Sequence, residues 1–420
     1  MRLLVLSTNK QRDENIFPVL KVLHEQYGAT CDYVVTNDFH THTRKAPYVN
    51  KLLLLEESEQ GGGLNAIDNG YRQRFKNLGL LRSFLTKEMV DRYDALLIGG
   101  DDYLGRYFMK KFRAKKRFLI QDGLFFNTTS RLIYKEIIKE QGKKNLPAYL
   151  FFFKYLLKES FIKFFTLLDI SYMFFSYSGK SEYDLFFISG NYTKNLLNNQ
   201  GVTDNRLFVS GMPRFRYLYQ NQREKQKAAP FNKAAYAVTF MTGAYKNHSQ
   251  FEMDVCEKKF LNELCSRLEK LGSEVQLFIK IHPRDAYSDF EQYSRFPFVT
   301  LINDIPIERV LLESDIILAN ASTTTVEAAF LDTPVIITLV SFIQTFTFSS
   351  YYAYNREYFC VAETWKELDE YIVKLLKDSA YKQEVLRKQR LLTESLICSG
   401  TVQSDVTIAN EIYKQVTAAN

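Results

Sequence analysis

Cysteine is scarce in this chain and none of it is arranged for chemistry: Cys31, Cys256, Cys265, Cys360 and Cys398 form no CxxC pair and no metal-binding spacing. That excludes a zinc module and suits a reducing compartment. Long apolar runs are missing too. The run Leu3 to Leu6 is too short for a leader and polar residues follow at once, so MRLLVLSTNKQ reads as a first strand. The longest stretch without charge, Thr333 to Asn355, is studded with Ser, Thr, Gln and Asn, which makes it strand plus loop rather than a membrane span. There is no internal repeat, no low-complexity block and no convincing Asp-x-Asp metal motif, Asp101-Asp102 being the nearest approach. A cytoplasmic protein that needs no metal is the expectation.

What is present is a globular composition. With 420 residues, 46% hydrophobic and 25% charged, the chain can bury two cores of roughly 200 residues each. A net charge of +7 permits a polyanionic partner or an anionic membrane face without demanding either; no nucleic-acid partner is expected. Aromatic content of 15% is the compositional oddity, and it concentrates between Asn145 and Gly179. In that segment Lys154, Lys158 and Lys163 punctuate a helix-like run in which Phe, Leu and Tyr cover more than one face. Two readings compete for Tyr149 to Tyr177: a buried helical hairpin, or a peripheral contact with the inner face of the plasma membrane, lysines near the headgroups. Glu159 and Asp169 argue against spanning.

Strand and helix periods alternate along the rest. Leu3 to Leu6, a helix through Ile16, Val19, Leu20 and Leu23, and a strand around Tyr33 to Val35 make a β-α-β opening. Leu52 to Leu55, Ala95 to Ile98, Arg117 to Ile120, Asp184 to Ile188 and Leu207 to Val209 continue as strands. The segment Arg223 to Asn232 is polar, basic and contains Pro, and is read as a linker. The alternation then restarts with Tyr236 to Phe240, a helix from Phe251 to Leu271, strands Val275 to Ile281 and Phe298 to Leu301, and a helix from Pro306 to Leu312. A helix pair over Thr364 to Ser395 and a tail able to cross back follow. The expected domains are residues 1–222, 233–395 and a C-terminal segment 396–420, as two Rossmann-like α/β domains facing a central cleft.

The chain is organised around Ser314 to Thr338. Ile316 to Leu318 is a strand, Ser322 takes the N-cap position, and Thr323, Thr324 and Thr325 fill the first turn of a helix that Asp332-Thr333-Pro334 ends. Open N–H groups and the helix dipole there favour an anion such as phosphate, although Ser and Thr also cap helices that bind nothing. His282-Pro283 closes the preceding strand, placing His282 at a carboxyl edge, where open α/β sheets take ligands. Gly243, just after the strand Tyr236 to Phe240, belongs with these ligand-binding candidates. Glu327, about one turn into the helix, can accept from a ribose hydroxyl or simply face solvent. Lys280 and Arg284 flank His282 as lesser candidates. In the front half, Asp101, Asp102 and Asp122 fall at the ends of neighbouring strands, where a turn preference for Asp is the alternative explanation.

These elements together resemble GT-B glycosyltransferases of bacterial capsule and surface-polysaccharide assembly, within them the polysialyltransferase and Kdo-transferase group. Gln121-Asp122-Gly123 is similar to an acidic-acidic-Gly motif, His282-Pro283 to the His-Pro motif and Ser322-Thr323-Thr324 to the Ser/Thr motif. SGMPRF, Ser210 to Phe215, resembles a segment near the interdomain hinge of related enzymes. Gln121 stands where the family usually has a first acid, which leaves Asp122 as the sole carboxylate. The resemblance implies an inverting, metal-independent transfer of sialic acid or Kdo from a CMP-linked donor to an oligosaccharide or lipid-linked acceptor. Asp122 would be the base, and His282, Pro283, Ser322, Thr323, Thr324, Glu327 and Gly243 would hold the nucleotide. The nucleotide sugar is then a cosubstrate, with no separate cofactor. CDP-glycerol or CDP-ribitol phosphotransferases, UDP-sugar transferases or epimerases, and an inactive membrane-docked assembly component share the same outline.

Overall fold

The computed structural model describes residues 1–7, 10–36, 46–55, 79, 93–100, 103–111, 114–124, 182–199, 201–224, 236–243, 245, 251–270, 274–283, 285–319, 323–340 and 356–418. The aromatic segment Tyr149 to Tyr177, Asp101-Asp102, Arg284 and Ser322 lie outside them. No helix among the described residues is long and apolar enough to cross a membrane.

The elements in chain order are β1 (Arg2–Ser7), α1 (Lys10–Tyr27), β2 (Thr30–Thr36), β3 (Val49–Leu55), β4 (Ala95–Ile98), α2 (Tyr103–Lys111), β5 (Lys116–Ile120), β6 (Leu185–Ile188), α3 (Asn191–Asn199), β7 (Leu207–Val209) and α4 (Arg216–Glu224). Then follow β8 (Tyr236–Met241), α5 (Phe251–Glu269), β9 (Val275–Lys280), β10 (Val299–Ile302), α6 (Ile307–Glu313), β11 (Ile316–Ala319), α7 (Thr323–Phe330), β12 (Val335–Thr338), β13 (Cys360–Ala362), α8 (Trp365–Lys377), α9 (Ser379–Leu396) and α10 (Ser404–Thr417).

Two sheets result, ordered β3-β2-β1-β4-β5-β6-β7 and β10-β9-β8-β11-β12-β13. Every pairing in them is parallel. Strand order reverses beside β1 in the first sheet and beside β8 in the second, as in doubly wound nucleotide-binding folds. Parallel strands covered on both faces need continuous apolar runs, and ALLI, LFFI, IILA and VIIT are buried at every position. The expected two-sheet α/β architecture is the one observed.

In the first unit, Ile16, Val19, Leu20 and Leu23 of α1 pack on Leu3 and Val5 of β1, and Ile408, Ala409, Ile412 and Val416 of α10 join the same core. Tyr27 stacks on Tyr413 at 3.9 Å between ring centroids, and its hydroxyl donates to Asn410 Oδ1 at 2.7 Å. The last helix of the chain thus covers the first. In the second unit, Phe260, Leu261, Leu264, Cys265 and Leu268 of α5 and Leu368, Ile372 and Leu375 of α8 bury Val238, Phe240, Leu277, Ile279, Ile316 and Leu318. A capping box starts α8: Thr364 Oγ1 accepts from the Glu367 N–H at 3.2 Å and Glu367 Oε2 from the Thr364 N–H at 3.0 Å.

Among the described residues, the chain changes unit at Arg216–Tyr217 and again at Glu394–Ser395. The Arg216–Tyr217 crossing lies at the start of α4, a helix that the polar sequence RYLYQNQRE did not announce; it runs to Glu224, so the expected linker opens with two helical residues.

Candidate functional site

Three loops follow three adjacent strands at the carboxyl edge of the second sheet: β9 runs into His282, β8 into Gly243, and β11 leads to α7. This is the side on which doubly wound sheets bind ligands, at the reversal of strand order. Of the predicted nucleotide-binding positions, Gly243, His282, Pro283, Thr323, Thr324 and Glu327 all belong to these loops or to α7. Thr324 is half-buried, while Thr325 and Glu327 are buried. Glu327 therefore does not sit on a solvated helix face, which was the plain alternative for it. Lys280 turns toward the neighbouring strand end, its ammonium donating to the Asn303 carbonyl at 2.7 Å. Burial pushes its pKa below the ordinary lysine value.

His282 is half-buried and its main chain is held on both sides. The N–H donates to Thr242 Oγ1 at 2.8 Å, and the carbonyl accepts from the Asp285 N–H at 2.8 Å. Gly243 donates its N–H to Glu257 Oε1 at 2.9 Å. A Cβ on Gly243 would run into the outer end of the Tyr245 ring, which would have to move to admit any other residue.

Glu257 is the residue that the linear reading missed. It lies on α5 three and four positions before Phe260 and Leu261, in the middle of the apolar stripe, and only 1% of its surface is exposed. Burial, with the charges of Asp285 and Asp254 adding to it and the Gly243 N–H and Lys258 opposing it, pushes its carboxyl up to about 8. Between the ordinary value of 4.5 and about 8 the folded chain holds a proton that the unfolded chain has released, so stability falls as pH rises through that window. One such proton gives a slope of up to ~1.4 kcal/mol per pH unit. Glu257→Gln should flatten that dependence, which urea midpoints measured from pH 5 to pH 8.5 (roughly the window just given) will report; parallel curves for the two proteins would contradict it.

In the first unit, Asp122 lies just beyond β5 and 28% of its side chain is exposed. Arg12 Nε and Nη2 both donate to its Oδ2, at 3.0 and 2.9 Å. The guanidinium crosses the end of β4 where a Cβ on Gly100 would run into it. Arg214, from the SGMPRF segment, donates from its backbone N–H to Asn15 Oδ1 at 3.1 Å and reaches the Asp122 carbonyl at 3.4 Å.

Gln121 explains its own departure from the acidic motif. Its buried side chain donates from Nε2 to the Gly123 carbonyl at 2.6 Å and accepts at Oε1 from the Ser189 N–H at 2.8 Å, tying β5 to β6. An ionised carboxylate can accept but not donate. Gln121→Glu should therefore destabilise the fold by ~1–3 kcal/mol at neutral pH, read as a lower urea midpoint; an unchanged midpoint would show the amide donor to be dispensable.

No model of a known protein family matches the chain, and no curated protein matches it. Solved structures do. UDP-GlcNAc 2-epimerase from Neisseria meningitidis bound to UDP-GlcNAc aligns with a TM-score of 0.58 at 14% identity, over 99% of this chain and 100% of that one. The glycosyltransferase of kitacinnamycin aligns with a TM-score of 0.59 at 14% identity, over 99% of both chains. CalG4, the calicheamicin glycosyltransferase, gives 0.55 at 14% identity, over 99% and 97%. The chain has the GT-B-like fold that UDP-GlcNAc 2-epimerases and glycosyltransferases share.

Proposed function

We propose that this chain is a nucleotide-sugar-using enzyme, with the nucleotide seated on the carboxyl edge of the second sheet. The observation that carries this is the alignment of His282, Gly243 and the start of α7 on three neighbouring strands at the reversal of strand order. The N-terminus of α7 receives the donor phosphate, and His282 and the Ser322-Thr323-Thr324 hydroxyls add donors to it. Glu327 contacts the ribose. Asp122 takes the acceptor proton in an inverting transfer to a glycan hydroxyl, and the phosphate charge is met without a metal.

Likeness to UDP-GlcNAc 2-epimerases, two of them solved with UDP-GlcNAc bound, supports a uridine nucleotide over the cytidine one. The CMP reading, with sialic acid or Kdo as the sugar, rests on the order of the three short motifs alone. A second activity, inversion at C2 of a UDP-sugar, is favoured by the full-length alignment with the Neisseria epimerase. Calorimetric titration with UDP, CMP and CDP chooses the nucleotide. Incubation with UDP-GlcNAc, CMP-sialic acid, CMP-Kdo and CDP-glycerol, with and without an oligosaccharide acceptor, then separates transfer (acceptor-dependent nucleotide release) from epimerisation (a C2 epimer without release). Binding of none of the three nucleotides would end the proposal.

A further inference from the structure

Thr242 has no part in the reading above, yet it closes a ring of contacts around His282. Ile281 still belongs to the sheet, its N–H donating to the Ile302 carbonyl at 2.9 Å. His282 is the first residue beyond the ladder, so its N–H has no strand partner by right. Thr242 sits one residue beyond the end of β8, and its own N–H donates to the Lys280 carbonyl at 3.1 Å. That extra rung brings the hydroxyl level with His282. Oγ1 accepts from the His282 N–H at 2.8 Å and donates to Asp285 Oδ2 at 2.8 Å, while the Asp285 N–H donates to the His282 carbonyl. A hydroxyl can do both because it carries one donor and two acceptor sites. Pro283 completes the restraint, since a following proline confines His282 to extended backbone.

We propose that Thr242 is a positioning residue for His282: its hydroxyl, acting with Asp285, fixes the backbone from which the imidazole is aimed, and Glu257 braces the same turn through the Gly243 N–H. The relevance of that aim to catalysis rests on the role given to His282 above. With both of its backbone polar groups tied, the point from which the His282 side chain departs is fixed, and the ring's place then follows from its two side-chain torsions. Loss of the hydroxyl removes the acceptor of the His282 N–H and one donor to the Asp285 carboxylate, and lets the main chain drift. Misplacement of a reacting group by about 1 Å costs on the order of a hundredfold in rate.

The test compares Thr242→Val, which keeps shape and removes the hydroxyl, with Thr242→Ser, which keeps the hydroxyl. The chain has five histidines, so the ring signal of His282 can be assigned in a proton–carbon NMR spectrum by its disappearance in His282→Asn. In Thr242→Val the titration midpoint of that ring should move while those of the other histidines stay, and Thr242→Ser should restore it. Turnover of the nucleotide sugar should fall by about ten- to a hundredfold in kcat with KM little changed, and serine should restore this as well. A His282 titration identical in wild type and Thr242→Val overturns the proposal, as does a serine variant no better than valine. Should Thr242→Val not fold, Thr242→Ala carries the same comparison. The spectrum needs no substrate: if the wild-type protein binds no nucleotide, the enzymatic reading falls while the positioning of the ring is still decided by its titration.

Discussion

Replacing His282 with alanine is expected to lower nucleotide release by about 10²–10⁴-fold while leaving the melting temperature within a few degrees of wild type. The asymmetry follows from how the residue is held. Its backbone N–H and carbonyl are tied to Thr242 and Asp285, and neither bond uses the side chain. Alanine keeps both and removes only the imidazole. In the proposed reaction the leaving phosphate then loses a donor that no water on a half-buried edge can replace in the same orientation. Steady-state release assays on the donor chosen by titration give the rate, and thermal unfolding gives the control. Normal turnover in His282→Ala would remove His282 from the reaction and leave the edge of the second sheet a binding surface only.

The second large effect is expected at Asp122. Asp122→Asn should cost a comparable 10²–10⁴-fold in turnover, because a carboxamide cannot take the acceptor proton. The substitution is conservative for the fold. Both Arg12 donors go to one oxygen, Oδ2, and an asparagine oxygen in that place can still accept from the guanidinium. In the proposed transfer the other carboxylate oxygen takes the proton. Arg12 meanwhile stays packed over Gly100 in either case. Measured kcat and a urea midpoint on the same preparation separate the two roles. If Asp122→Asn turned over normally, the carboxylate would serve Arg12 and nothing else; a large drop in midpoint without a drop in specific activity would say the same.

The strands at the heart of both sheets could be read directly, because parallel strands buried on two faces leave uninterrupted apolar runs such as Ala95 to Ile98, whose limits match the structure, and Ile316 to Leu318, which stops one residue short of the strand's end at Ala319. His282 could be placed at a strand end for the same reason: the run stops at a proline. What escaped depends on partners far away in the chain. Gln121 looks like a flawed acid until Ser189, 68 residues later, is seen to need its oxygen. The hold of Arg12 on Asp122 spans 110 residues. Strand β13 has three residues, too few for a period to show. Helix α4 hid behind its polar composition, since among its side chains of described burial Leu218 alone is completely buried. Glu257 was legible in principle, an acid on the apolar stripe of α5, but helix starts drew attention and helix interiors did not.

Helix α10 carries a consequence for how the molecule comes to be made. The face of α1 that receives Ile408, Ile412 and Val416 leaves the ribosome nearly four hundred residues before its cover does. At bacterial or eukaryotic elongation speeds that interval is on the order of tens of seconds. Throughout it the nascent front unit must wait with an apolar stripe bare, a stretch of time in which a chaperone has something to hold and the finished protein does not.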